Sequence, residues 1–289
     1  MTQLYDWVYR VTVVQQPVGF IGSHPQFFES LGNAIEFTDM RMKFDVKKSL
    51  GKEPNSCKII FSNLSEHTRS ELERKPLGVT LAAGYRGSGP RLLFTGDLVR
   101  SVSVYRGTDW ETTMQVRDGG RAYAYARSNL SYKKGVRVDQ VISDVAATMG
   151  LKLPIEIDQA PELKQALASG ISLHGPTRDV LTRLLAPYGF NWSVQNGRLQ
   201  VLKDGQLRAG EALLINQDSG LIGSPQRSVP DKPEGKSELT LETLLFPEVM
   251  PAQSIQVESR TFNGPFRTKE VTHAGDTHGD DWKTEVRCT

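Results

Sequence analysis

The clearest pattern along the chain is a two-residue alternation. In WETTMQVR, residues 110–117, Trp110, Thr112, Met114 and Val116 fall on one face, and Glu111, Thr113, Gln115 and Arg117 on the other. Successive side chains of a strand point to opposite sides, so this pattern predicts a strand with one buried face. CKIIFSNL (57–64), GVTLAAGY (78–85) and RLLFTGDLVRSVSVY (91–105) are strand candidates of the same kind. Between them, SEHTRSELER offers Ser65 as an N-cap and Leu72 as its only large aliphatic residue. It predicts a short, mostly exposed helix.

The period then changes. VDQVISDVAATM places Val138, Val141, Ile142, Val145, Ala146 and Met149 on one face of an amphipathic helix that stops at Gly150. TRDVLTRLLAPY does the same with Val180, Leu181, Leu184, Leu185 and Tyr188, and stops at Gly189. The two helices belong to an internal repeat in which Gly135 matches Gly175 and Asp139 matches Asp179. Each unit reads as strand, glycine turn, helix, glycine stop, strand, so two small β-α-β units are expected. The second ends in FNWSVQNGRLQVL, where Asn196-Gly197 is a strong two-residue hairpin signal.

From about residue 206 the alternation returns. SIQVESR, FRTKEVTHA and DWKTEVRC read as strands, with Trp282, Thr284, Val286 and Cys288 on one face. The proline-rich stretch 223–238 reads as a mobile loop or linker. The expected fold is mainly β with a smaller α+β insert, divided as 1–120, 121–205 and 206–289.

Composition adds constraints. The 289 residues are 38% hydrophobic and 24% charged, with a net charge of +2. That balance suits a β-rich protein with polar sheet faces and does not by itself point to nucleic acid or a membrane surface. Cys57 and Cys288 are far apart in sequence and are expected to be free thiols. The N-terminus lacks the basic segment and apolar run of a signal peptide, and no apolar stretch is long enough for a membrane span. Synthesis and folding in cytoplasm are expected.

Three stretches raise questions of chemistry. In VTHAGDTHGDDW, His273, Asp276, His278, Asp280 and Asp281 gather potential nitrogen and oxygen ligands. The five-residue step from His273 to His278 is no helical ligand spacing, and the acids do not follow a calcium-loop pattern. Gly275–Asp280 reads instead as a hairpin loop whose polar side chains satisfy its own backbone. A phosphate loop ending at GKS (235–237) would need glycine at position 230, which is Pro230. Residues 117–137 set Arg117, Arg121, Arg127, Lys133, Lys134 and Arg137 against Asp118 alone, with Tyr123 and Tyr125 interleaved. Such a stretch suits either a single-stranded nucleic-acid face or an ordinary solvated strand.

The ordered set PNSCKIIFSNLSEHTRSEL, AGYRG…LLFTGDL, DWETTMQVRDGG, the two helical repeats, DSGLIGSPQRS and THAGDTHGDDWKTEV is similar to the baseplate hub proteins of long contractile-tailed bacteriophages. The resemblance spans nearly the whole chain. It implies two tube-like β-barrel domains related to phage tail-tube folds, in a structural part of a virion tail baseplate rather than an enzyme, with no cofactor and no metal. It implies a homotrimer forming a pseudo-six-fold ring, with a six-fold tail tube or tube initiator above and a three-fold spike below. Tape-measure protein would occupy the lumen, DNA would pass through transiently, and other baseplate proteins would surround it. Asp276, His278 and Asp280 would form a contact loop between rings. The alternatives are a single-stranded nucleic-acid-binding module built on 117–137, and a metal-dependent hydrolase using the C-terminal histidines and acids.

Overall fold

The alternating stretches form strands in the computed structural model, which describes residues 6–16, 34–51, 53–74, 76–151, 160–228 and 237–289. The chain begins with β1 (Trp7–Gln15), β2 (Ile35–Phe37), β3 (Met42–Ser49), β4 (Ser56–Ser62), helix α1 (Glu66–Glu73), β5 (Leu77–Tyr85), β6 (Gly89–Arg106), β7 (Asp109–Arg117) and helix α2 (Gly120–Tyr125). It continues through β8 (Arg127–Tyr132), α3 (Val138–Ala147), β9 (Ile171–Pro176), α4 (Thr177–Leu185), β10 (Phe190–Gln195) and β11 (Arg198–Lys203). The last elements are β12 (Leu213–Ile215), β13 (Leu221–Arg227), β14 (Leu239–Leu244), β15 (Ser254–Glu258), β16 (Asn263–Asp276) and β17 (Trp282–Cys288). The protein is mainly β with a small helical part.

Thirteen strands share one sheet, in the order β13-β14-β17-β16-β3-β4-β7-β6-β5-β1-β2, with β15 on β16 and β12 parallel to β15. This sheet is called the β body below. The first half of β6 pairs with β5 and the second half with β7, with a register break between Leu98 and Arg100. Such a break bends a strand. The sheet curls back on itself, and Trp7 of β1 stacks on Trp282 of β17 with ring centroids 5.3 Å apart. Trp282 also donates its indole N–H to the Gly84 carbonyl at 3.2 Å. Glycine is required at 275, because a Cβ there would lie 2.3 Å from the Phe44 ring.

Three separate apolar cores result. The first lies under β1 and β3–β7 and takes in Trp282. The third lies under β14–β17 and contains Leu241, Val271 and Val286. Between these two, pairing across four strands aligns Val46, His273, Thr284 and Thr243 in one buried row, so polar groups divide cores that share a sheet. His273 Nδ1 meets Thr284 Oγ1 at 2.9 Å. Burial, helped by nearby Lys48, holds the imidazole pKa well below its ordinary value, so the ring is neutral. Lys48 itself is buried, with its ammonium 3.2 Å from Met250 Sδ. Burial pushes its pKa down to about 8 against the pull of Asp118.

The second core is built from residues between Ala122 and Val201, within the stretch 121–205 expected to form an insert. Helices α3 and α4 bury the apolar faces expected of them, against Trp192, Val194 and Val201. The expected pair of β-α-β units is corrected. Strands β8 and β9, one from each repeat, pair antiparallel with each other, and β10–β11 form a hairpin of their own. Antiparallel pairing lets two strand–helix units share a ribbon without the crossover that a parallel pair needs. The return strand expected after Gly150 falls on 152–159, outside the described residues. RAYAYAR is no solvated strand, because residues 120–125 are helix α2.

Other expectations meet mixed outcomes. Thr112, Met114 and Val116 are buried as the alternation predicts, but Trp110 stands at the strand's outer end and is 37% exposed. Of the stretch read as a loop or linker, 223–227 belong to β13, and 229–236 lie outside the described residues, as does most of GKS. Both cysteines are free and buried. Among the described residues no helix is long and apolar enough to cross a membrane.

Candidate contact rim

Strand direction gathers several connections at one end of the β body. β16 runs up to the 277–281 turn, and β3 starts beside it, with Met42 exchanging backbone and side-chain hydrogen bonds with Thr277 at 3.0 Å. β4 ends at the same level, where the Ser62 N–H donates to the Arg41 carbonyl. The β6–β7 turn at Gly107–Thr108 follows in the next position. This rim therefore carries residues 38–41, Asn63 with α1, the β6–β7 tip and the C-terminal turn.

The C-terminal turn holds itself together. Asp276 Oδ1 accepts from the His278 N–H at 3.0 Å, the bond of an Asx turn, and the Asp276 N–H donates to the Asp281 carbonyl at 2.7 Å. Lys43 Nζ lies 2.8 Å from Asp276 Oδ2. Partial burial raises the Asp276 pKa, but Lys43 and the His278 N–H outweigh it, and the net shift is downward. His278 Nδ1 lies 3.0 Å from Thr277 Oγ1, and the side chains of His278, Asp280 and Asp281 are exposed. The turn is 277–281 and not the expected 275–280, since Gly275 and Asp276 still belong to β16 and β17 starts at Trp282.

The structure thus brings Asp276, His278 and Asp280 into one turn and separates His273 from them. His273 faces the buried polar row, three positions inside the strand end. Among the described residues no group of three histidines, cysteines or acids is placed to share a metal ion. The 117–137 stretch is likewise scattered. Tyr123 is buried against Trp192, Arg137 pairs with Asp139, and Tyr125 is the exposed aromatic, at 69%.

Sequence reasoning missed the other half of the rim. Tyr105 and Trp110 flank the β6–β7 turn with centroids 5.4 Å apart, and Tyr105 is 58% exposed. The Arg69 guanidinium, from α1, lies 3.9 Å above the Trp110 ring. Asn63, at φ 57°, fixes the tip by accepting the Trp110 N–H at 2.9 Å and donating to Asp109 at 2.9 Å. The usable signal was the pairing of two aromatics across a two-residue turn, where a hairpin outruns its core.

No family model matches the chain. Solved structures share its fold. The 43 kDa tail protein of prophage MuSo2 from Shewanella oneidensis superposes with a TM-score of 0.62 at 11% identity, over 98% of this chain and 96% of that one. The fold is shared with phage tail proteins. A tail protein from Neisseria meningitidis MC58 gives 0.60 at 12% identity, with the same coverage of both chains. An E. coli component of the type VI secretion system, described as structurally similar to the T4 bacteriophage tail proteins gp27 and gp5, gives 0.54 at 12% identity, over 86% of this chain and 73% of that one. Among curated proteins, ATP synthase subunit delta of Nitratidesulfovibrio vulgaris is 31% identical over 125 residues. That match takes in 40% of this chain, which spans 64% of that relative's length, whereas the tail-protein fold accounts for nearly all of it.

Proposed function

We propose that the protein is a structural subunit of a phage tail baseplate, a hub joining the tail tube to the central spike. The observation carrying this reading is the fold shared with a prophage tail protein over 98% of the chain. The likeness to a secretion component described as similar to gp27 and gp5 supports the hub in particular. In this reading 1–120 and 206–289 are two tube-like domains and 121–205 is an insert. Three copies then supply six such domains around one channel, matching a six-fold tube above to a three-fold spike below. Closed rotational symmetry ends the ring cleanly. Tape-measure protein occupies the lumen and DNA passes through it. The subunit is assembled in host cytoplasm, resides in the virion tail, and acts by contact rather than catalysis. Both apolar cores of the β body feed one sheet, which suits two half-rings held in fixed register. The rim, with Asp276, His278, Asp280, Tyr105 and Trp110, meets a neighbouring ring or the spike.

Native mass spectrometry of the chain co-expressed with the spike of its tail tests the reading. Three copies per complex are expected. A stable hexamer of this chain, or a monomer that never associates with the spike, would overturn it.

A further inference from the structure

The insert has an apolar core of its own, and its seat on the β body is built from buried polar groups. Two carboxylates on neighbouring strands do most of the holding. Asp97, on β6, accepts the Arg121 backbone N–H at 2.8 Å and the Gln16 side-chain N–H at 2.9 Å. Arg121 Nη1 closes the group by donating to Gln16 Oε1 at 3.0 Å. Asp118, just past β7, accepts the N–H groups of Asn196 and Gly197, the turn of the β10–β11 hairpin. Both turn residues have positive φ, which aims their two N–H groups at one acceptor. Asn55 adds a third contact, donating to the Val194 carbonyl at 2.9 Å and to Gln195 Oε1 at 2.8 Å.

We propose that Asp97 and Asp118 form a proton-controlled clasp, which holds the insert on the β body in acid and loosens as the solution becomes neutral. The charged and titratable groups facing the pair are the Arg121 guanidinium at Asp97, and the Lys48 ammonium and Tyr123 phenol at Asp118. Behind Lys48 stand Arg208, Cys57 and the neutral His273. Burial is the largest influence on both carboxyls. Against the N–H groups and cations that favour the anion, it raises Asp97 to about 6 and Asp118 to about 7. Undocking returns each to water and to its ordinary value near 3.8. The docked form therefore binds protons more tightly than the undocked form. Docking is strongest below the ordinary carboxyl value and is lost progressively as pH rises through about 6 and then about 7.

Hydrogen exchange on the full chain tests this, at roughly pH 5 and pH 7, with intrinsic exchange rates divided out; the upper value stays about one unit below the Lys48 pKa. Peptides spanning 119–125 and 194–199 report the two clasped sites, and α3 and α4 report unfolding of the insert itself. The opening constants at the clasp should be at least about tenfold larger at the higher pH, the equivalent of one pKa step for one carboxyl. Protection within α3 and α4 should not change. Asp118→Asn should flatten the pH response at 194–199, and Asp97→Asn that at 119–125. Equal opening at both pH values, greater opening in acid, or helices that shift in step with the clasp would overturn the proposal. Should either variant fail to fold, the wild-type comparison decides the question by itself.

Discussion

Lys48 is the residue that costs this fold most plainly. It sits on the buried face of β3, and the structure gives its ammonium a thioether for company. A lysine whose folded pKa is lowered to about 8 sheds its proton more readily than in the unfolded chain. The penalty is fully present below about pH 8 and is relieved as pH climbs to the ordinary value of 10.5. Replacement by a buried apolar side chain of similar shape removes it. Lys48→Met is expected to stabilise the protein by about 1–3 kcal/mol at pH 7, net of the lost attraction to Asp118, and the gain should fade as pH rises from about 8 to 10.5. Thermal melts across that range check it, and a Met variant that melts lower at pH 7 contradicts it. The rim offers a contrast. Asp276 caps its own turn and pairs with Lys43, so Asp276→Ala should cost ~1–2 kcal/mol. Because its folded pKa is depressed, that cost should shrink as pH falls through the carboxylate range. His278→Ser with Asp280→Ser should change stability by less than about 0.5 kcal/mol, since both side chains are exposed. The pair should instead lower the yield of assembled tails, and normal yield would reduce these two side chains to turn residues only.

At the scale of elements, the insert gives the sharpest test. Leu184 and Val141 both lie on buried helix faces. Leu184→Ala should cost about 2–4 kcal/mol and Val141→Ala an amount at or below the low end of that range. An unchanged melting curve for Leu184→Ala would mean α4 does not pack as described. These helices were legible in the sequence because a 3.6-residue period survives when one face meets a core and the other meets water. The strands of the β body were legible for the same reason at period two. What the sequence hid was pairing. Nothing local distinguishes β8 returning through its own helix from β8 pairing with β9, because both choices bury Leu173 and expose Asn129 and His174. Trp110 was misplaced because alternation continues past the point where the core ends. His273 was grouped with Asp276 and His278 by nearness in sequence, although one strand position decides which face a side chain serves. The Asx bonding within the turn was legible, because an aspartate opening a short polar turn tends to accept from the backbone N–H two residues on.

At the scale of the whole molecule, the order of strands in the sheet does not follow the order in the chain. β3, formed by residues 42–49, takes β4 on one side and β16, from residues 263–276, on the other. During synthesis β3 leaves the ribosome long before its second neighbour exists, an interval on the order of ten to forty seconds at ordinary elongation rates. Until then one lip of the nascent sheet shows unsatisfied amides and carbonyls to solvent, with Phe44 and Val46 lacking the cover of Trp282 and His273. An open lip of that kind recruits strangers as readily as its proper partner. Only a chain translated through β16 closes the seam, so a copy cut short of that strand carries the defect of an unzipped edge. The seam thus makes one sheet edge depend on two stretches of chain more than two hundred residues apart.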